Sequence, residues 1–295
     1  MVKFVTAMPN KDIHKKGFVP EPPQGSDLSR DRILLHCCCA PCSTAIIEWM
    51  VGEGLRPGIF FSNSNIVPFD EYALRREELR RYAAAHGLET FDDEYDHAAW
   101  LAYVRRLEGP DYDKARVGED DRSCDALHPS AGSAADPAGL LASSAVPPVR
   151  VADMPERGPR CLECFRFRLL RAADFAAAHG YRLLTTTLAS SRWKDLEQVD
   201  EAGRWACAQV NGIVSAEVAG CVCGQADGCD SADAVGDESG QVSGGLSAGV
   251  SGVRSEVFWW GQNWRRGGLQ ERRNALIKEW EMYNQTFCGC EFSSR

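Results

Sequence analysis

No run in this 295-residue chain approaches the ~20 consecutive apolar residues needed to cross a bilayer, so a membrane-embedded role is not expected. The opening stretch MVKFVTAMPNKDIHKKG lacks the apolar core of a secretory signal, which predicts a cytoplasmic protein. A Ser-Gly-Gly-x-Asp-Ser phosphate loop is also missing after the first expected strand. His36-Cys37-Cys38-Cys39-Ala40-Pro41 stands there instead and argues against an ATP-using thiolase or ligase. Positive charge is short overall, at a formal net charge of −9. The acid is concentrated, however. Ten acids face five bases between Glu108 and Arg157, and seven face one between Asn211 and Glu256. The rest of the chain is weakly basic, so charge does not exclude a nucleic-acid partner.

Cysteine is abundant. In a reducing compartment the thirteen cysteines read as metal ligands or catalysts rather than disulfides. Seven fall into three tight clusters: Cys38-Cys39-x-x-Cys42, Cys161-x-x-Cys164 and Cys288-x-Cys290. No cluster can saturate an iron–sulfur cofactor alone. Brought together, they supply enough thiolates for one, with ligands to spare for a second metal. A structural zinc site using four of the seven is the competing reading, although adjacent Cys38-Cys39 is unusual for zinc. Gly289 lets the Cys288–Cys290 turn approach something bulky. Cys221, Cys223 and Cys229 have metal-compatible spacing but lie in a loose, Gly- and Ser-rich stretch, where incidental cysteines are the simpler reading. Cys37 is an extra cysteine without an assigned role.

The hydrophobic pattern predicts strand–helix alternation, hence a parallel sheet with helices on both faces. Strands are expected over residues 32–36, 58–62 and 181–188. Helices are expected over 44–50, from a cap at Asp70 to His86, and from Cys161 to His179, with Gly87 and Gly180 as terminators. Residues 1–30 read as a loose extension of a single domain spanning 31–295. Residues 115–158 and 214–254 read as flexible insertions.

Ligands in such folds lie at the carboxyl ends of strands. The first cysteine cluster and the loop Thr185–Ser191 fall there. Its hydroxyls suit either strand-end capping or substrate contact, and Asn63 and Asn65 suit either a turn or a pocket. Arg76 with Arg80, and Arg168 with Arg171, lie one helical turn apart and could meet phosphates. Solvated helix faces are the plainer reading. Tyr72, Tyr82, Phe165, Trp193, Trp259, Trp260 and Trp264 could stack unpaired bases.

Taken together these residues resemble the QueH-type epoxyqueuosine reductases, a cobalamin-independent family. The resemblance rests on Leu35–Cys42, Phe61–Ile66 with Glu71, Tyr72 and Arg75, Cys161–Cys164 with Arg168, Thr185–Leu188 with Ser191 and Lys194, and Tyr283–Cys290. Asn63-Ser64-Asn65 stands where Asn-Pro-Asn is usual, Phe287 where Tyr is frequent, and Asn263 where many members carry Asp. The resemblance implies a Rossmann-like (HUP-type) sheet. It also implies a [4Fe-4S] cluster on Cys38, Cys39, Cys161 and Cys164, and a second mononuclear metal, iron, on Cys42, Cys288 and Cys290. The implied reaction converts epoxyqueuosine to queuosine at the wobble position of tRNA, drawing on an unidentified electron donor. Lys194, Tyr72 and Ser191 are the candidate proton donors. The alternative is a zinc- or iron–sulfur-containing nucleic-acid binder without reductase activity.

Overall fold

A computed structural model describes residues 20–108, 150–222 and 254–293. Its centre is a five-stranded, all-parallel sheet. In chain order the elements are β1 (Ile33–Cys37), α1 (Ala40–Gly52), β2 (Gly58–Phe61), α2 (Phe69–Ala85), β3 (Thr90–Asp92) and α3 (His97–Arg105). They continue with α4 (Pro159–Ala178), β4 (Leu183–Thr186), α5 (Leu196–Val222), β5 (Phe258–Trp259) and α6 (Leu269–Glu279). The strands lie in the order β3-β2-β1-β4-β5, so β1 is central and every one of its residues is buried. Its near-continuous apolar run Ile33-Leu34-Leu35 suits a strand covered on both faces.

That order matters for function. From β1 the chain winds outward to β2 and β3, then crosses back to β4 and β5 on the other side. The reversal opens a crevice beyond the carboxyl ends of β1 and β4, the place where open α/β sheets bind ligands. The loops leaving these strands carry Cys38 and Thr187.

Several sequence expectations shift. Pro68, not Asp70, precedes α2; Asp70 falls inside its first turn, where its charge complements the helix dipole. Gly87 and Gly180 do follow their helices, each with positive φ. Strand β4 ends at Thr186 and passes into a 3-10 turn over Thr187–Ser190. The long helix α5 was not anticipated, and its backbone runs through residues 214–222, which had read as insertion. Within residues 150–158, Val151 and Met154 are buried and Val151 N–H donates to Glu108 at 2.8 Å, while most of the other side chains are exposed. Before β1, Pro20 is buried and the Glu21 carbonyl accepts the Trp260 indole N–H at 2.9 Å, so residues 20–30 lie against the body. Residues 109–149, 223–253 and 1–19 lie outside the described residues, as do Cys223 and Cys229.

Helix α6 packs on α1 through one buried ion pair. Arg272 reaches Glu48 with Nη2–Oε2 at 2.8 Å and Nε–Oε1 at 2.9 Å. This two-pronged bond anchors the C-terminal helix and sets the course of the cysteine-bearing segment that follows it.

Candidate metal centre

The crevice is built from the sheet outward. His36, fully buried on β1, links its neighbours: Nδ1 meets Thr186 Oγ1 at 2.7 Å and Nε2 meets the Ser62 carbonyl at 3.1 Å. Burial, and the Arg168 charge beside it, push the imidazole down to about 3, so it is neutral and structural. Thr187 Oγ1 accepts the Cys38 backbone N–H at 3.2 Å, and Ser43 Oγ donates to the Cys39 carbonyl at 2.7 Å. The Thr-rich loop thus caps the strand end and shapes the first cysteine turn.

Three sulfurs gather there. Those of Cys38, Cys39 and Cys42 all lie within 4.8 Å of one another, with Cys38 and Cys39 3.8 Å apart. Such a set has the softness and crowding that suit a metal rather than free thiols. Hydrogen bonds from Cys39 and Cys42 hold the Cys38 thiol well below its usual range, aided by the Arg168 and Lys194 charges. Burial raises Cys39, and the bond to Cys38 pushes Cys42 up to about 12.

The second cluster sits on the first turn of α4. Arg157, one of two non-glycine residues with positive φ among those described, donates its backbone N–H to Cys161 Sγ at 3.3 Å. Burial raises the thiols of both Cys161 and Cys164.

The third cluster is held in place by α2. Arg75 Nη1 donates to the Cys288 carbonyl at 2.9 Å, Val67 N–H donates to the Gly289 carbonyl at 2.9 Å, and Tyr283 Oη donates to Glu71 at 3.1 Å. Gly289 has φ 99°, and a Cβ there would sit 3.0 Å from Arg75 Nη2. Glycine is required both by the backbone and by the arginine packed on it. Lys194 Nζ lies 3.6 Å from Cys288 Sγ. The Cys290 hydrogen bond, opposed by burial and reinforced by Lys194 and Arg168, holds the Cys288 thiol well below its usual range. Burial disfavours the lysine's charge, but the surrounding sulfurs, Cys288 foremost, outweigh it and raise Lys194.

All three clusters open on one cavity of about 230 Å³. Cys38, Cys42, Cys161, Cys164, Cys288 and Cys290 line it, while Cys39 stands behind them, 1% exposed. Lys194 and Ser191 also line it. Tyr72 does not: it is buried against Phe61 and Tyr95, with ring centroids at 5.2 and 4.4 Å. Soft donors in a cavity lined by several cations, Arg168 and Lys194 among them, fit an anionic metal–sulfur group.

The arginines and aromatics sort themselves differently from the sequence reading. Arg76 and Arg80 pair with Asp92, and Arg171 with Asp93 at 2.8 Å, so these are bound to protein carboxylates rather than free for phosphates. Arg168 is 1% exposed and turns inward, bonding the Ser62 carbonyl at 3.0 Å and Asn63 Oδ1. Its role in balancing thiolate charge escaped the sequence, where it looked like a surface residue. Among the seven aromatics, Tyr72, Tyr82, Phe165, Trp260 and Trp264 are buried, while Trp193 is exposed on the cavity rim. No helix among the described residues is long and apolar enough to cross a membrane.

Comparisons with known proteins give the family. The family model for epoxyqueuosine reductase QueH matches residues 33–119, 144–216 and 246–295. The chain is 27% identical over 265 residues to the epoxyqueuosine reductase QueH of Histophilus somni, covering 90% of this chain and 73% of that one. The Acinetobacter baylyi protein of the same name is 26% identical, at 90% and 81% coverage. The Thermotoga maritima one is 23% identical, at 88% and 89%.

Proposed function

The chain belongs to the epoxyqueuosine reductase QueH family, and we propose on that premise that it reduces the epoxide of epoxyqueuosine to give queuosine in the anticodon of tRNA. The observation that carries the reading is the convergence of six motif cysteines and Lys194 on one cavity at the sheet's switch point. Membership makes the protein an oxidoreductase of queuosine biosynthesis.

Cys38, Cys39, Cys161 and Cys164 would hold a [4Fe-4S] cluster, and Cys42, Cys288 and Cys290 a second metal, iron. When bound, this pair supplies stored electrons and a Lewis-acid site beside them. The sulfurs of Cys38, Cys39 and Cys42 lie within 4.8 Å of one another, which supports metal binding at this turn.

Removing the epoxide oxygen as water takes two electrons and two protons and leaves an alkene. The electrons come from an external donor. The chain's own part is protons, charge and exclusion of water. Lys194 lines the cavity and lies 3.6 Å from Cys288 Sγ, so by position it is the first candidate to give a proton to the departing oxygen. Ser191, also on the lining, is the second candidate; Tyr72 stands behind the wall. Arg168 keeps the thiolates stable without being able to release a proton. The wobble nucleoside reaches the cavity only if splayed from the anticodon loop, past the exposed Trp193 on the rim.

The test has two parts. Iron and acid-labile sulfide are counted in anaerobically reconstituted protein, and the protein is then given epoxyqueuosine-containing tRNA with a chemical reductant. Brown protein that forms queuosine supports the reading. Colourless, zinc-loaded protein that binds tRNA without turnover would support the nucleic-acid-binding alternative.

A further inference from the structure

Four consecutive carbonyls between the 3-10 turn and α5 all accept hydrogen bonds from arginine. Arg265 Nη2 donates to the Ser191 carbonyl and, at 2.7 Å, to that of Lys194. Arg157 takes the two between, with Nη2 on the Arg192 carbonyl at 2.9 Å and Nε on that of Trp193 at 3.0 Å. Arg157 is itself fixed. Its φ is 63°, its N–H donates to Cys161 Sγ, and its carbonyl accepts from Gln198 at 2.8 Å. A non-glycine residue held at positive φ has a conformation that its surroundings impose.

The loop so braced points two ways. Lys194 enters the cavity, 3.6 Å from Cys288 Sγ. Trp193, its neighbour, stands out from the rim and is the only exposed one of the chain's eight tryptophans, at 61%. The Arg192 guanidinium lies over its ring, 4.6 Å from the centroid. With one side under that cation, exposure of this size leaves the rest of the indole open to solvent. A lone exposed aromatic is ordinary. One on a braced loop, at the mouth of a cavity, is already ordered for a ligand.

Charge narrows what that ligand is. Cations outnumber acids six to two along the cavity wall, in a chain of net charge −9. Both acids are engaged: Asp195 accepts the Glu197 and Gln198 N–H groups in the first turn of α5, and Glu156 accepts from Ser293 at 2.8 Å. Among the described residues, the guanidinium groups of Arg157 and Arg273 bond only amide oxygens. An unpaired base with its phosphate matches both features, a flat open ring and uncompensated positive charge.

We propose that Trp193 is a stacking platform for an unpaired base of the anticodon loop, next to the one that enters the cavity, with Arg192 meeting its phosphate. This rests on the reading above only in taking tRNA as the substrate. Because Trp193 and Lys194 are adjacent, a base stacked on the first delivers its neighbour toward the cavity that the second lines.

The experiment titrates reconstituted full-length wild type, Trp193→Ala, Trp193→Phe and Arg192→Gln with an anticodon stem-loop RNA carrying guanine at the wobble position, so that binding is read without the modified base. Trp193→Ala should weaken Kd by roughly 5- to 150-fold, the effect of losing one stacked base, while Trp193→Phe stays within about 5-fold of wild type. RNA should quench indole emission in wild type, and most of that quenching should vanish in Trp193→Phe although binding persists. Arg192→Gln should flatten the slope of log Kd against log salt by about 0.7. Iron content and Tm should not move in any variant. Wild-type affinity in Trp193→Ala would overturn the proposal. So would a Trp193→Phe defect equal to that of Trp193→Ala, or an affinity loss that follows iron or Tm. Wild type that binds the stem-loop through Trp193 yet leaves epoxyqueuosine in tRNA untouched would bring down the reductase reading and leave the platform standing.

Discussion

Arg75 donates to the carbonyl of Cys288 at 2.9 Å, joining the second helix of the fold to a cysteine more than two hundred residues later in the chain. The same guanidinium pairs with Glu71 at 2.6 Å, and both side chains are largely buried. Arg75→Ala removes the bond and leaves Glu71 enclosed without its cation, a change that costs about 3 kcal/mol. Urea unfolding should show that loss, and metal analysis should show less iron per protein. Wild-type values for both would mean the tie is dispensable.

Gly289 fits beneath that arginine. Alanine there would be strained at φ 99° and would press on Arg75 at 3.0 Å. Gly289→Ala should cost about 1–3 kcal/mol, absorbed locally by the Cys288–Cys290 turn. Bound iron should therefore fall more sharply than Tm.

The Arg272–Glu48 pair offers a control away from the sulfurs. Glu48→Ala leaves Arg272 half-enclosed without its main partner and should destabilise by about 3–5 kcal/mol in chemical denaturation. Turnover per folded, iron-loaded molecule should change little, since neither residue lines the cavity.

The three candidate proton donors separate by position. Lys194→Met should retain iron while turnover drops by about 10²–10⁴-fold. Ser191→Ala should lose less. Tyr72→Phe should stay near wild type, because the ring packs behind the cavity wall. A Tyr72→Phe loss matching that of Lys194→Met in single-turnover assays would contradict this ranking.

Much of the sheet was legible because its strands are short apolar runs followed by glycine-stopped helices, as at β1, β2 and α4. The seven cysteines stood out in the sequence because they are tightly clustered, and the structure brings six of them onto one cavity. Helix α5 was not, since its tail runs into Gly- and Ser-rich sequence that resembles a linker. Arg168 was misjudged for a different reason. An arginine spaced one turn from Arg171 looks like a solvated face, and only tertiary structure shows that one bonds Asp93 and the other turns inward to the Ser62 carbonyl and Asn63. Asn63 and Asn65 were indistinguishable in sequence, because what separates them is whether a partner exists: Asn63 Oδ1 accepts from Arg168, and Asn65 Oδ1 has none.

Cys42→Ala should abolish turnover while Cys38, Cys39, Cys161 and Cys164 remain able to bind iron and sulfide. Partial iron loss with no queuosine formed is the expected result. Full activity would remove Cys42 from the metal set.

The most direct measurement is nucleoside mass spectrometry of epoxyqueuosine-containing tRNA after incubation with anaerobically reconstituted protein and a chemical reductant. The account predicts a loss of one oxygen from the modified base, giving queuosine, in amounts that exceed the protein present. Unchanged epoxyqueuosine, with iron and sulfide shown to be bound, would contradict it.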